Sequence, residues 1–147
     1  MSTPIQLDIP FFAAPSAQVL TGGKTSAEAL RRAQEQGLAK VVNLCPHSED
    51  LGFDEPALAA ELGLAYENIP IAGGGDLTRE NAQRLAQAVA DAGGPVLVHC
   101  MSSNRVGALF ALKAHWLDGK SIDDALAEGR AHGLKAMEAG VRQLLER

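Results

Sequence analysis

Hydrophobic positions along the chain follow two alternating rhythms, which together predict a layered α/β fold. Short apolar runs at Val19-Leu20-Thr21, residues 40–44, residues 64–69 and Val96-Leu97-Val98 are bounded by Gly, Pro or polar clusters and read as strands. Helical spacing fills the intervals. Thr25 and Glu28 have capping-box spacing and predict a helix to about Gln36, where Gly37 stops it. Residues 55–62 predict a second helix, and Gly73-Gly74-Gly75 a flexible loop. Ala82, Leu85, Ala86 and Val89 then fall at i, i+3, i+4 and i+7, with Asp76 or Thr78 as the N-cap. Residues 106–117 carry a single charge, Lys113, and predict a helix buried nearly all round. Two helices, over residues 121–131 and 135–146, close the chain, with Ile122, Ala125 and Leu126, then Met137, Val141, Leu144 and Leu145, facing inward. No repeat or low-complexity linker interrupts this order. Residues 1–147 are therefore read as one domain, a central, mostly parallel sheet of four to five strands flanked by helices. Ligands of such sheets bind at the carboxyl ends of the strands.

That rule points to VHCMSSNRVG, residues 98–107. Cys100 ends the last strand, Met101, Ser102, Ser103 and Asn104 form a polar turn, and Arg105 opens the buried helix. Loop amides and a helix N-terminus converge there with partial positive charge. Such a spot favours a thiolate, and in known settings it lowers a cysteine from ~8.5 to ~3.5–7.5. It also holds a tetrahedral oxyanion. Arg105 adds a permanent charge and a planar fork. A cysteine in an apolar strand is otherwise a small buried hydrophobe. The order Cys, polar turn, Arg, buried helix argues instead for a nucleophile beneath an anion cradle, with Ser102, Ser103 and Asn104 supplying polar side chains to the rim.

The same order resembles the cysteine-dependent protein tyrosine phosphatase superfamily, of the small dual-specificity type. Within it the chain is most similar to the bacterial branch DUF442, the beta-lactamase-hydrolase-like phosphatase domain. Val41-Val42-Asn43-Leu44 followed by Pro46 and Glu49 resembles that branch's V-I-N-L-R-P…E segment. Gly63-Leu64-Ala65-Tyr66 through Ile69-Pro70-Ile71 resembles G-L-x-Y-x-x-I-P-V, and Gly94 through Cys100 resembles G-P-V-L-x-x-C. The likeness covers nearly the whole chain. It implies a phosphatase-like fold in which Cys100 attacks, Arg105 binds the anion and His99 steadies the loop by hydrogen bonds. It also implies a role for Cys45, which stands where most relatives of the branch have arginine. Some phosphatases of the superfamily place a backdoor cysteine there that forms a reversible disulfide with the nucleophile, which requires Cα atoms ~4.4–6.8 Å apart. The alternative is a buried strand-end cysteine.

Three departures from the superfamily pattern shift the expected chemistry. The signature is H-C-x5-R, whereas four residues separate Cys100 from Arg105, a C-x4-R spacing shared with relatives of the DUF442 type. A shorter loop makes a narrower cradle, better suited to a sulfur atom, and sulfurtransferases of the rhodanese type resemble this pattern. The position of the phosphatase general acid holds Gly73, with Asp76 three residues further on. A missing general acid commonly costs ~10²–10⁴ in rate. Val106 replaces the Ser or Thr that follows the arginine. The leading expectation is a sulfurtransferase in which a Cys100 persulfide carries sulfur from thiosulfate or a similar donor to a thiol or cyanide. The alternative is a phosphomonoester phosphatase acting through phospho-Cys100 with Asp76 as acid. A third reading is a redox-sensing or anion-binding protein without turnover.

Composition narrows the partners. A net charge of −5 provides no basic excess for nucleic acid, and no apolar run reaches membrane-spanning length, so a cytoplasmic address is expected. Gly22-Gly23-Lys24-Thr25 imitates the end of a phosphate-binding Walker loop, but Gln18 occupies the first glycine position. Cys45, His47, His99 and Cys100 are zinc-ligand types. Adjacent strand residues point to opposite faces, however, so His99 and Cys100 are not expected to share a metal, and neither metal nor cofactor is expected.

Overall fold

The structure is a computed structural model and describes residues 4–147; residues 1–3 of the expected domain lie outside the described residues. Four strands form the sheet: β1 (Val19–Gly22), β2 (Lys40–Asn43), β3 (Ala65–Asn68) and β4 (Val96–His99). Their spatial order is β1-β4-β2-β3, and all pairings are parallel. The count falls at the lower end of the expected range. The one antiparallel contact among the described residues is an isolated bridge between Ala13 and Thr21. β4 is central and buried along its length, as a continuous apolar run in a two-faced parallel sheet requires.

Among the described residues, six α-helices cover the two faces. α1 (Ala27–Glu35) and α2 (Glu55–Leu62) pack with Leu20, Val41 and Leu97 on one side. α3 (Arg79–Ala90), α4 (Asn104–Trp116), α5 (Ile122–Ala131) and α6 (Glu138–Leu145) enclose Val42, Val96 and Val98 on the other. The period-two alternation of β4 sends Leu97 to the first layer and Val96, Val98 and Cys100 to the second. α4 is the hub, with residues 106–112 and Ala114 buried, as its single charge implies. It lies so close to the turn after α5 that a Cβ on Gly107 would sit 2.0 Å from the Leu134 amide nitrogen. No helix among the described residues is long and apolar enough to cross a membrane.

Two helix starts differ from expectation. Ser26, not Thr25, caps α1, its hydroxyl accepting from the Ala29 amide at 3.0 Å. Thr25 instead turns inward to the α2 layer. α6 begins at Glu138 rather than Lys135, because the Lys135 and Met137 amides bond to the Asn104 side chain at 2.8 and 3.4 Å.

Candidate active site

β4 delivers Cys100, fully buried, to the carboxyl edge of the sheet, where its amide donates to the Gly22 carbonyl at 3.3 Å. Residues 101–103 then turn into α4. The first backbone bond of that helix runs from the Gly107 amide to the Ser103 carbonyl. The N–H groups of residues 101–106 are engaged by no other group among the described residues. These six consecutive amides follow the Cys100 thiol and run into the N-terminus of a thirteen-residue helix, an arrangement that can serve as an anion-binding nest.

The turn depends on Ser103, which is buried and holds φ 66, the left-handed region. Its hydroxyl donates to the His132 carbonyl at 3.0 Å. Gly133, at φ +114, lies so close that a Cβ there would meet the Ser103 oxygen at 2.3 Å. The Asn104 side chain is committed to the same α5–α6 connection through Lys135 and Met137. The rim role expected of Ser103 and Asn104 is therefore corrected: both side chains face away from the nest and anchor it. Ser102 is exposed, and Met101 packs partly against the core.

Burial of His132 disfavours its cation and lowers its pKa; the Glu128 carbonyl, 2.7 Å from Nδ1, opposes that shift only in part. The ring also stacks on Phe110 at 4.0 Å between centroids. The unfolded chain, with an ordinary value near ~6.5, takes up this proton first as the pH falls. The contribution is thus complete above about 6.5 and is lost as the pH drops through the lower folded value. Thermal stability should fall between pH 7 and 5, and less steeply in His132→Gln. An identical slope in the variant would show that other groups govern that window.

Arg105 reaches back from the first turn of α4. Its Nη1 and Nη2 donate to the two Glu49 oxygens at 2.8 Å each, and Nη1 also donates to the Ile71 carbonyl at 2.8 Å. This bidentate pair is only partly exposed, and it holds the Glu49 carboxyl below the usual carboxylate range. The end of the fork is thus occupied, while the side edge, Nε–H and the second Nη2–H, is engaged by no group among the described residues. Glu49 thus holds Arg105 bidentately and leaves that side edge unengaged.

Cys45 lies close enough to Arg105, Glu49 and Cys100 to feel their charges. Burial pushes its thiol up to about 12, with the Arg105 charge drawing it only partly back. Both cysteines are free. With its thiolate so disfavoured, Cys45 attacks an oxidised partner slowly. Mild peroxide should oxidise Cys100 without a Cys45–Cys100 bridge in peptide maps; a rapidly formed bridge would instead make Cys45 a resolving thiol.

Next to Cys100, His99 points to the α2 layer. Its Nε2 lies 3.0 and 2.8 Å from the Glu55 oxygens, and Thr25 Oγ1 donates to Glu55 Oε2 at 2.9 Å. Nδ1 faces the Cys100 carbonyl at 3.4 Å. All three side chains are buried. The steadying role expected of His99 has this geometry, but its partner Glu55 went unforeseen, as did Glu49. A charged residue in the first turn of a predicted helix ordinarily reads as surface, and Glu49 stood out only through its place in the P…E segment.

Asp76 is not the cap of α3. It closes a 3₁₀ turn (Gly74–Asp76), its Oδ2 accepting from the Ala72 amide at 2.9 Å, while Thr78 caps α3. The glycine loop is thereby tied down. No cluster of three or more His, Cys, Asp or Glu side chains suited to a metal occurs among the described residues.

Residues 14–115 match the family described as beta-lactamase hydrolase-like protein, phosphatase-like domain. The beta-lactamase hydrolase-like protein of Xylella fastidiosa (strain Temecula1) is 38% identical over 103 residues, which cover 67% of this chain and 23% of that protein. The chain thus spans about a quarter of the length of the curated relatives it matches. Among solved structures, Tk-PTP in its active form superposes with a TM-score of 0.71 at 20% identity, covering 93% of this chain and 97% of that one. The DUF442 protein of Shewanella putrefaciens CN-32 gives 0.69 at 20% identity, over 94% and 92%. Likeness at that identity establishes the fold, and the family match extends it to the loop that carries Cys100 and Arg105. The chain belongs to the phosphatase-like domain family of beta-lactamase hydrolase-like proteins.

Proposed function

We propose that the chain is a cysteine-dependent phosphatase that hydrolyses phosphomonoesters through Cys100. The observation that carries this reading is the nest of six free amides around Cys100 beside the open side edge of Arg105. A phosphoryl group brings three non-bridging oxygens, for which that arrangement supplies donors. Cys100 Sγ attacks phosphorus, the P–O bond to the leaving group breaks, and the leaving oxygen keeps the electron pair. Water then attacks the phosphocysteine, giving inorganic phosphate and the free thiol. Because the Asp76 carboxylate is held by the Ala72 amide, leaving groups that depart without a proton are favoured, so aryl esters should turn over faster than alkyl esters.

A second reading, sulfur transfer, is favoured by the four-residue loop, the tethered Asp76 and Val106 after the arginine. Cys100 would attack the outer sulfur of thiosulfate and release sulfite with the S–S electron pair. The persulfide would then pass its sulfur to a thiol or cyanide. Parallel assays on one preparation distinguish the two. Hydrolysis of an aryl phosphate that vanishes in Cys100→Ser supports the phosphatase. Thiocyanate production together with a one-sulfur mass gain on Cys100, without phosphate release, would replace it by the sulfurtransferase.

A further inference from the structure

In a chain of net charge −5, the lysines are distributed unevenly between paired and unpaired. Lys40, Lys113 and Lys120 are matched with Glu67, Asp118 and Glu128. Lys24 and Lys135 have no carboxylate partner among the described residues, and both adjoin the Cys100 loop. The Lys24 amide donates to the Met101 carbonyl, and Lys135 Nζ donates to the Ser102 carbonyl, each at 3.0 Å. That bond uses one of the three ammonium hydrogens and leaves two. Both side chains are exposed.

Lys135 is also seated. Its Nζ lies 3.5 Å from the centroid of the Phe11 ring. Phe11 is the exposed large hydrophobic of the described residues, at 53%, and holds φ 60, a backbone region that aromatic residues rarely occupy. The turn is pinned to the loop junction by the Gly23 amide, which donates to the Pro10 carbonyl at 2.7 Å. A strained, exposed aromatic that contributes little to the core therefore supports an ammonium beside the nest.

We propose that Lys135, seated on Phe11, is a specificity-determining residue that receives a second anionic group, a carboxylate or phosphate carried by the leaving-group portion of the substrate. This rests on the phosphomonoester reading above. The probes are 4-carboxyphenyl phosphate and its methyl ester, which differ by one negative charge at a fixed distance from the reacting phosphorus. The quantity read is the ratio of kcat/KM, carboxylate over ester, within each protein. General damage to the loop and the difference in leaving group cancel when ratios are compared between variants. The ratio should fall about fivefold in Lys135→Met, as expected for one partly exposed ion pair, and by less in Phe11→Leu. The wild-type ratio should approach that of Lys135→Met in 0.5 M NaCl, which screens exposed charges. An unchanged ratio in Lys135→Met overturns the proposal.

Calorimetric titration of both probes into Cys100→Ser, with and without Lys135→Met, reads the same preference without turnover. A fivefold preference in affinity that Lys135→Met removes, together with no hydrolysis by the wild type, leaves the anion site standing and defeats the phosphatase reading alone. The same affinity ratio in both proteins, or no binding of either probe, overturns the anion site.

Discussion

Arg105→Lys is expected to lower kcat/KM by about 10²–10⁴ in whichever of the two assays reports turnover, a loss of roughly 2.7–5.5 kcal/mol of transition-state stabilisation. The size follows from how the fork is used. Its end is spent on both Glu49 oxygens and the Ile71 carbonyl, and the side edge is engaged by no group among the described residues. Lysine keeps the charge but offers a point donor on a flexible stem, so it cannot grip Glu49 bidentately and also present two parallel hydrogens to an anion. Glu49→Gln should cost less, about tenfold, because one acceptor remains for Nη1 while the second bond and the charge are lost. Steady-state kinetics on both variants, with circular dichroism to verify the fold, checks the pair. A lysine variant within threefold of wild type would mean that the loop amides hold the anion alone.

The contrast between Arg105 and Glu49 shows what one-dimensional pattern carries and what it does not. Cys100, the turn and Arg105 are contiguous, so their chemistry is read from spacing, and the apolar runs flanking them identify the strand and the buried helix. Glu49 meets Arg105 across 56 residues, and Glu55 meets His99 across 44; neither separation has a period. Ser103 and Asn104 were assigned to the rim because polar residues beside a nucleophile suggest ligands. Their side chains turn away because Gly133 lets the α5–α6 connection press against a left-handed Ser103, a fact of tertiary packing. Asp76 failed as a cap for a local reason. Thr78 is nearer the first helical turn, and three glycines let the Asp76 carboxylate fold back onto the Ala72 amide. The family likeness supplied the fold and pointed to Cys100 as the expected nucleophile. It left the choice between phosphorus and sulfur to the loop length and the missing acid.

Glu55→Leu is expected to destabilise the protein by about 3–5 kcal/mol, because it leaves two buried polar side chains, His99 and Thr25, without their shared hydrogen-bond partner. Glu55 is 1% exposed, its two oxygens engage His99 Nε2, and one of them also accepts the Thr25 hydroxyl. Its place in the first turn of α2 sets this buried polar network at the N-terminus of that helix. Leucine would leave the imidazole facing hydrocarbon and the Thr25 hydroxyl without its acceptor. For a chain of this length the loss corresponds to a fall in Tm of roughly 8–16 °C. The double variant Glu55→Leu/His99→Phe separates the value of the pair from the penalty of breaking it. With both polar partners gone, it should be more stable than the sum of the single losses predicts, by about 1–3 kcal/mol. Urea unfolding of the four proteins measures the coupling. Strict additivity would show that His99 and Glu55 act independently, with His99 held chiefly by its contact to the Cys100 carbonyl. A positive coupling would locate this support in a pair that joins the end of β4 to the start of α2, where a disturbance also reaches the Cys100 loop.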